Sequence, residues 1–287
     1  MALMRIRSGK TVAAILAVAL MVAALFAAPV AQAQTGRAYV AMGDSFPANP
    51  DIPDQLDGLL RGYCAQRDDA YPDRIGQQHF GGNYVNLACN GTTMAGGAGP
   101  SAIHNMNAAH ARGEIGTATR LVTITIGAAE GWNPAFPGGR DFGFIDGANH
   151  VTPQRWTERM GGMVNRINQI APNARIMFVS YPEVGDNRGA ICLANFGNQG
   201  SVHLPVPVPT NFEHYIRHIN ATAEAHQHLG YEFVNTARPG TGSCAPPERQ
   251  WVRAIVDFPG AGDGIRMPVH PTALGDAGVA NIVGSRL

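Results

Sequence analysis

The sequence predicts an α/β protein in which a parallel sheet is covered on both faces by helices. Three observations predict it. Short β-branched, apolar runs alternate with helix-period segments, an order that favours parallel strands joined by crossover helices. The best-defined runs end in Gly43, Gly91 or Gly127, which mark tight turns at the strand ends. And 45% of the 287 residues are hydrophobic, enough to bury a substantial core.

In chain order, residues 1–10 form a basic start and 11–30 an almost wholly apolar stretch. Ala31-Gln32-Ala33 then places small residues where a signal peptidase reads. A cleaved export signal over 1–33 is expected, followed by one domain over 34–287. An uncleaved anchor is the alternative, since about 18 apolar residues can span a bilayer. Arg37–Met42 (RAYVAM) reads as the first strand and Asn83–Ala88 (NYVNLA) as the second. Leu121–Ile126 (LVTITI) is the third, Ala174–Ser180 (ARIMFVS) the fourth and Tyr231–Asn235 (YEFVN) a short fifth. Pro153–Ile170 is a helix, with Trp156, Met160, Met163, Val164, Ile167 and Ile170 at helical spacing. Asn211–Leu229 and Thr272–Val283 are two more. Three Gly-, Pro- or Asn-rich regions, 96–120, 131–151 and 185–209, receive no strand and are expected to loop over the site. Within the last, VHLPVPVPT reads as extended because prolines alternate.

Charge and composition exclude several functions. Basic and acidic residues balance at 21 each, and beyond residue 33 the balance is 18 against 21. No basic excess marks a nucleic-acid surface. Lys10 is the only lysine and lies in the expected leader. The domain therefore offers no lysine for a Ser–Lys dyad, a Schiff base or a P-loop. Four cysteines in an exported chain point to disulfides. Sequential pairing, Cys64–Cys89 and Cys192–Cys244, closes a local loop each time; a metal site is the weaker reading, because no C-x-x-C pair occurs. His214 and His218 have ligand-like i, i+4 spacing, but no third ligand follows and HExxH is absent, so a solvated helix face is the preferred reading.

Two residues are candidates for chemistry. Ser45 follows an apolar strand and a glycine, where a strand-to-helix turn would expose its hydroxyl; it needs a base to react. His270, between Pro268 and Pro271 just before the last helix, has the constrained backbone that suits an oriented base. On the residues alone, Gly-Asp-Ser is also a common turn and His270 equally a helix-start residue without a role.

The order of four blocks resembles the SGNH (GDSL) hydrolase family, especially its secreted actinobacterial lipases and esterases. The blocks are Tyr39-Val40-Ala41-Met42-Gly43-Asp44-Ser45, Asn86-Leu87-Ala88-Cys89-Asn90-Gly91-Thr92-Thr93, Val122-Thr123-Ile124-Thr125-Ile126-Gly127, and Gln250-Trp251-Val252 followed by Pro268-Val269-His270-Pro271. The spacing of Cys64 and Cys89 is similar to that of the secreted members. The resemblance implies a flavodoxin-like three-layer α/β/α sandwich (the SGNH hydrolase fold) that needs neither metal nor organic cofactor. It implies Ser45 as nucleophile, His270 as base, and the backbone N–H groups of Ser45 and Gly91 as the oxyanion hole. Two positions depart from the family pattern. Where the family carries an asparagine side chain as third oxyanion donor, this chain has Ala129, flanked by Glu130, with Asn133 the nearest asparagine. Where the family has an aspartate three residues before its histidine, this chain has Met267. A backbone carbonyl, from Met267 or Pro268, is the expected orienting group, with Asp257 and Asp263 as nearby acids.

The resulting expectation is an exported serine ester hydrolase, a monomer acting on a lipid-like acyl ester, in the medium or at the cell envelope. The alternatives are an acyltransferase to an envelope alcohol, a carbohydrate deacetylase, and a catalytically weakened envelope binding protein.

Overall fold

The computed structural model describes residues 35–94, 101–131, 151–196, 204–209, 212–257 and 266–287. The main sheet has five strands: β1 (Tyr39–Gly43), β2 (Tyr84–Asn86), β3 (Leu121–Thr125), β4 (Arg175–Val179) and β7 (Glu232–Val234), in the order β2-β1-β3-β4-β7. Every pairing in it is parallel, with Tyr39 beside both Tyr84 and Leu121, and Gly43 beside Thr125. Between these strands lie α1 (Ser45–Ala48), α2 (Ile52–Arg61), α3 (Tyr71–Phe80), α4 (Ala102–Ala111), α5 (Pro153–Ile170) and α6 (Phe212–Ala225), and α7 (Ala273–Gly284) follows the last of them.

Alternate strand residues serve opposite faces, as the two-residue period of a strand requires. Val40, Met42, Val122, Ile124 and Phe178 pack with Met106 of α4, Trp156, Met160 and Ile167 of α5, and Ile219 of α6. Tyr39, Ala41, Leu121, Met177 and Val179 pack with Tyr71 and Ile75 of α3 and Val279 and Val283 of α7. The result is a three-layer α/β/α sandwich. Burial on both sides explains why β1 and β3 read as continuous apolar runs.

The chain leaves β1 for β2 on one side of the sheet, and β3 lies on the other. This is a topological switch point, and in open α/β sheets it is the place, beyond the strand carboxyl ends, where ligands bind.

The sequence reading needs correction in three places. Segment 185–209 is not a bare loop: β5 (Ala190–Phe196) pairs antiparallel with β6 (Leu204–Pro209) and parallel with β8 (Val256–Asp257). Pro205, Pro207 and Pro209 fall at alternate positions of β6, an edge strand, where every second N–H faces away from the partner and a proline removes no ladder bond. Segment 96–120 contains α4, capped by Ser101, whose hydroxyl accepts from His104 N–H. Helices α2 and α3 were not anticipated at all. Segment 132–150 lies outside the described residues. At its carboxyl end the expected helix 211–229 is α6 followed by a separate 3₁₀ turn, Gln227–Leu229.

Disulfides join Cys64 to Cys89 and Cys192 to Cys244. Among the described residues, no helix is long and apolar enough to cross a membrane, and no three His, Cys, Asp or Glu side chains gather as a metal site. His214 is exposed, and a ring nitrogen of His218 meets the Val151 carbonyl at 2.8 Å.

Candidate active site

Ser45 opens α1 directly beyond β1. Gly43 makes this turn possible: a Cβ there would sit 2.1 Å from the Thr125 carbonyl oxygen of β3. The chain therefore stays tight against β3 until Asp44 N–H bonds to that same carbonyl at 3.1 Å. Asp44 caps the short helix, its carboxylate accepting from Phe46 N–H at 3.1 Å.

Asp44 is fully buried, and its second carboxyl oxygen accepts from the Tyr181 hydroxyl. That hydroxyl in turn accepts from Ala128 N–H at 3.0 Å. Burial pushes the Asp44 carboxyl up to about 7, against the pull of the Tyr181 and Phe46 hydrogen bonds, and the charge of Glu130 adds to the rise. Tyr181 thus ties the turn after β1 to the turn after β3.

The turn after β2 lies alongside. Cys89 N–H bonds to the Gly43 carbonyl at 3.1 Å, and Thr92 N–H closes back on Cys89 at 3.1 Å. Between them Gly91 has φ of +72°, a conformation most residues avoid. The Asn90 amide donates to Met267 Sδ at 2.9 Å, so this turn touches the carboxyl-terminal loop that bears His270.

His270 reaches the same place from the far end of the chain. Its ring packs on Phe46, the neighbour of Ser45, with centroids 5.1 Å apart. Its loop is docked on strand-like segment 251–253: Arg253 N–H bonds to the His270 carbonyl at 2.9 Å and Thr272 N–H to the Trp251 carbonyl at 2.8 Å. Thr272 caps α7, its hydroxyl accepting from Gly275 N–H at 3.0 Å. Val269, immediately before the histidine, has φ of +60°, a strained conformation for a β-branched residue.

The group on His270 Nδ1 is the Pro268 carbonyl, at 2.7 Å, and not that of Met267. The positive φ at Val269 curls the chain so that the carbonyl two residues back meets the ring. Met267 instead offers its thioether to Asn90. With Nδ1 turned to a carbonyl, the neutral ring carries its proton there and leaves Nε2 with its lone pair. Nε2 is withdrawn from solvent and has no hydrogen-bond partner among the described residues. Burial lowers the imidazole pKa to about 4, the Pro268 carbonyl pulling weakly the other way. Ser45 Oγ is therefore not hydrogen-bonded to Nε2 here; such bonds are often long in a free enzyme and tighten with substrate.

The third-block position is plain. Ala129 lies in the 3₁₀ turn Ala128–Gly131 and brings no side-chain donor. Glu130 turns away, accepting from Met94 N–H and pairing with Arg159, and burial raises its carboxyl pKa. Asn133 and Asp263 lie outside the described residues, and Asp257 sits in β8.

Sequence reasoning missed the residues that hold this arrangement from behind. Asn49, buried and left-handed at φ 41°, ends α1 with its N–H on the Ser45 carbonyl at 2.7 Å. Its amide donates to the Pro271 carbonyl at 3.1 Å and to Asp276 at 2.7 Å. Asp276 also accepts from Tyr71 N–H and faces Arg266 at 3.4 Å, and Arg266 bonds to Asp69 at 3.1 Å. An aspartate in the first turn of the last predicted helix was the available signal; nothing in it gave the pairing with Asn49.

A three-layer sandwich with a serine turn, a glycine turn and a part-buried imidazole at one switch point defines a hydrolase of the SGNH fold. The chain belongs to the GDSL-like Lipase/Acylhydrolase family, whose model matches residues 41–277, and is a carboxylic ester hydrolase. Among solved structures it is similar to phospholipase A1 from Streptomyces albidoflavus, at 18% identity and a TM-score of 0.56 over 89% of this chain and 100% of that one. It is also similar to the extracellular lipase from Streptomyces rimosus, at 18% identity and a TM-score of 0.55 over 87% and 99%. These likenesses concern the fold. No curated protein sequence matches the chain.

Proposed function

We propose that the protein is an exported serine esterase that cleaves a lipid-like acyl ester through a Ser45–His270 pair. The observation that carries this reading is the seat of His270: its ring lies on Phe46, beside Ser45, with Nδ1 on the Pro268 carbonyl and Nε2 buried and unpartnered among the described residues. A base kept dry next to a hydroxyl has one nearby proton to take.

In this mechanism Ser45 Oγ attacks the ester carbonyl carbon while His270 Nε2 accepts its proton. The carbonyl oxygen becomes an oxyanion held by the N–H groups of Ser45 and Gly91. The intermediate collapses, the C–O bond to the alcohol breaks, and the imidazolium returns the proton to the leaving alkoxide. Water then repeats the sequence on the acyl-serine, releasing the acid and free Ser45. The Pro268 carbonyl keeps the proton on Nδ1 and steadies the imidazolium in both halves.

Export is supported by the basic–apolar–small leader over 1–33 and by two disulfides, which suit an oxidising compartment. Hydrolysis of short and long p-nitrophenyl esters, with its loss in Ser45→Ala, tests the chemistry. A serine-directed phosphonate should label Ser45 and no other residue. Failure of the phosphonate to label folded protein would overturn the mechanism, and product analysis with an added alcohol separates hydrolysis from acyl transfer.

A further inference from the structure

We infer that α2 is a docking surface for an uncharged or zwitterionic lipid aggregate, set at the rim of the proposed site. The lipid nature of the occupant rests on the esterase reading above; the exposed face does not.

Helix α2 is amphipathic in the wrong sense for a core helix. In a globular protein the apolar arc normally faces inward. Here the buried residue of the helix is Gly58, whose missing side chain lets the helix lie close on Ala65 and the Tyr63 carbonyl. Leu56, Leu59 and Leu60 point outward with 56%, 69% and 87% of their surface exposed, and Tyr63 joins them at 49%. Positions 56, 59, 60 and 63 share one face of a helical repeat. The polar arc carries Asp54, Asp57 and Arg61, with Arg61 closed onto Asp57 at 2.8 Å. A short helix with an outward apolar arc beside a charged one is the form that lies in a lipid interface.

Both ends of α2 are fastened to the proposed catalytic turns. At its start, Asp51 forms a bridge with Arg266 of the His270 loop and an ion pair with Arg67 at 2.5 Å. Past its end, Cys64 is bonded to Cys89, two residues from Gly91. A lipid surface meeting this helix is therefore held next to Ser45.

Charge and area choose the occupant. The helix has two acids and one base, so it offers nothing to an anionic surface. Four exposed side chains, at roughly 100 Å² of apolar area each, present about 400 Å². That is half of the ~800 Å² per partner of a standard protein interface, so a second copy of the chain is poorly served. Lipid chains have no such minimum.

The test is co-sedimentation with phosphatidylcholine vesicles, a readout that needs no turnover and so succeeds or fails apart from the esterase reading. The chain from residue 34 and its Ser45→Ala variant should bind alike, with little change on adding salt. Leu59→Gln/Leu60→Gln should bind at least tenfold more weakly while unfolding at the same temperature. Leu60→Gln alone, at the most exposed position, provides a milder variant with the same direction. Equal binding by the double variant, or no binding by the parent chain, would overturn the inference. So would binding confined to phosphatidylglycerol and abolished by salt, or a dimer in solution that the double variant dissociates.

Discussion

Asn49 donates from one amide to the Pro271 carbonyl at 3.1 Å and to Asp276 Oδ2 at 2.7 Å. With its own N–H on the Ser45 carbonyl, it joins the serine turn to the histidine loop across 222 positions of sequence. A single side chain thus sets the spacing of the two groups proposed to react.

Its role as a positioning residue can be separated from its contribution to stability. Asn49→Asp keeps a residue that tolerates the left-handed conformation, but puts two carboxyls together and leaves Pro271 without a donor. Stability should fall by about 1–3 kcal/mol, and kcat by roughly 10- to 100-fold through misplacement of His270. Adding Asp276→Asn restores a donor–acceptor pair between the two side chains but not the bond to Pro271. Urea unfolding should therefore recover most of the lost stability, while kcat on a p-nitrophenyl ester stays low. Recovery of both together would mean that Asn49 matters to folding alone.

This network also shows where sequence reasoning stopped. The strands were legible because β1 and β3 are buried on both faces and carry continuous apolar runs ending in glycine. Ser45, Gly91 and His270 became candidates because they stand in ordered local blocks. The pairing of Asn49 with Asp276 was not legible, because each bond of the clamp is a tertiary choice with no local signature. Helix α2 was not read although Leu56, Leu59 and Leu60 carry helical spacing; what spacing cannot give is that this arc faces solvent. The small sheet escaped because alternate prolines in β6 mimic a free extended segment. Which carbonyl meets His270, that of Met267 or of Pro268, was left open because the curl at Val269 belongs to the folded loop, not to residue preference.

The buried imidazole makes a prediction about acid. His270 acts as a base only when neutral, and burial lowers its pKa to about 4. The acid limb of kcat/KM, which reports groups of the free enzyme, should fall near 4 to 5, with activity largely retained at pH 5.5. A limb at 6.5 or higher would show an ordinary, solvated histidine. The same shift has a thermodynamic sign. Between about 4 and 6.5 the unfolded chain binds more protons at this site than the native one, so the His270 contribution to stability rises with pH across that window.

The buried carboxyls act in the opposite direction. Asp44 and Asp276 are each raised to about 7, chiefly by burial. From about 4 to 7 the native state holds more protons on them, so the stability they contribute is complete below that range and is lost as pH rises through 7. Above 6.5 His270 is neutral in both states and drops out. Two such carboxyls outweigh the one imidazole, so thermal unfolding should show Tm falling from about pH 4 to 7 and levelling above it, and Asp44→Asn should flatten that fall. Tyr181→Phe tests the same network differently. It strips Asp44 of a donor and Ala128 N–H of an acceptor in a buried setting, at a cost of about 1–3 kcal/mol in urea unfolding.

Ala129 makes the last prediction, because it stands where the family supplies a side-chain amide. Removing one oxyanion donor from a serine hydrolase can cost about 10²–10³ in kcat. Restoring one should recover part of that, since the donor acts where charge appears in the transition state and not on the ground-state ester. Ala129→Asn is therefore expected to raise kcat about tenfold or more with KM little changed. The turn that receives it is already fixed on one side by the Tyr181 hydroxyl bond to Ala128 N–H and on the other by the pairing of Glu130 with Arg159. A gain in kcat that disappears in the Ser45→Ala background would place the new amide in the oxyanion hole. An unchanged kcat in a variant that unfolds like the parent would mean that another donor already fills that position.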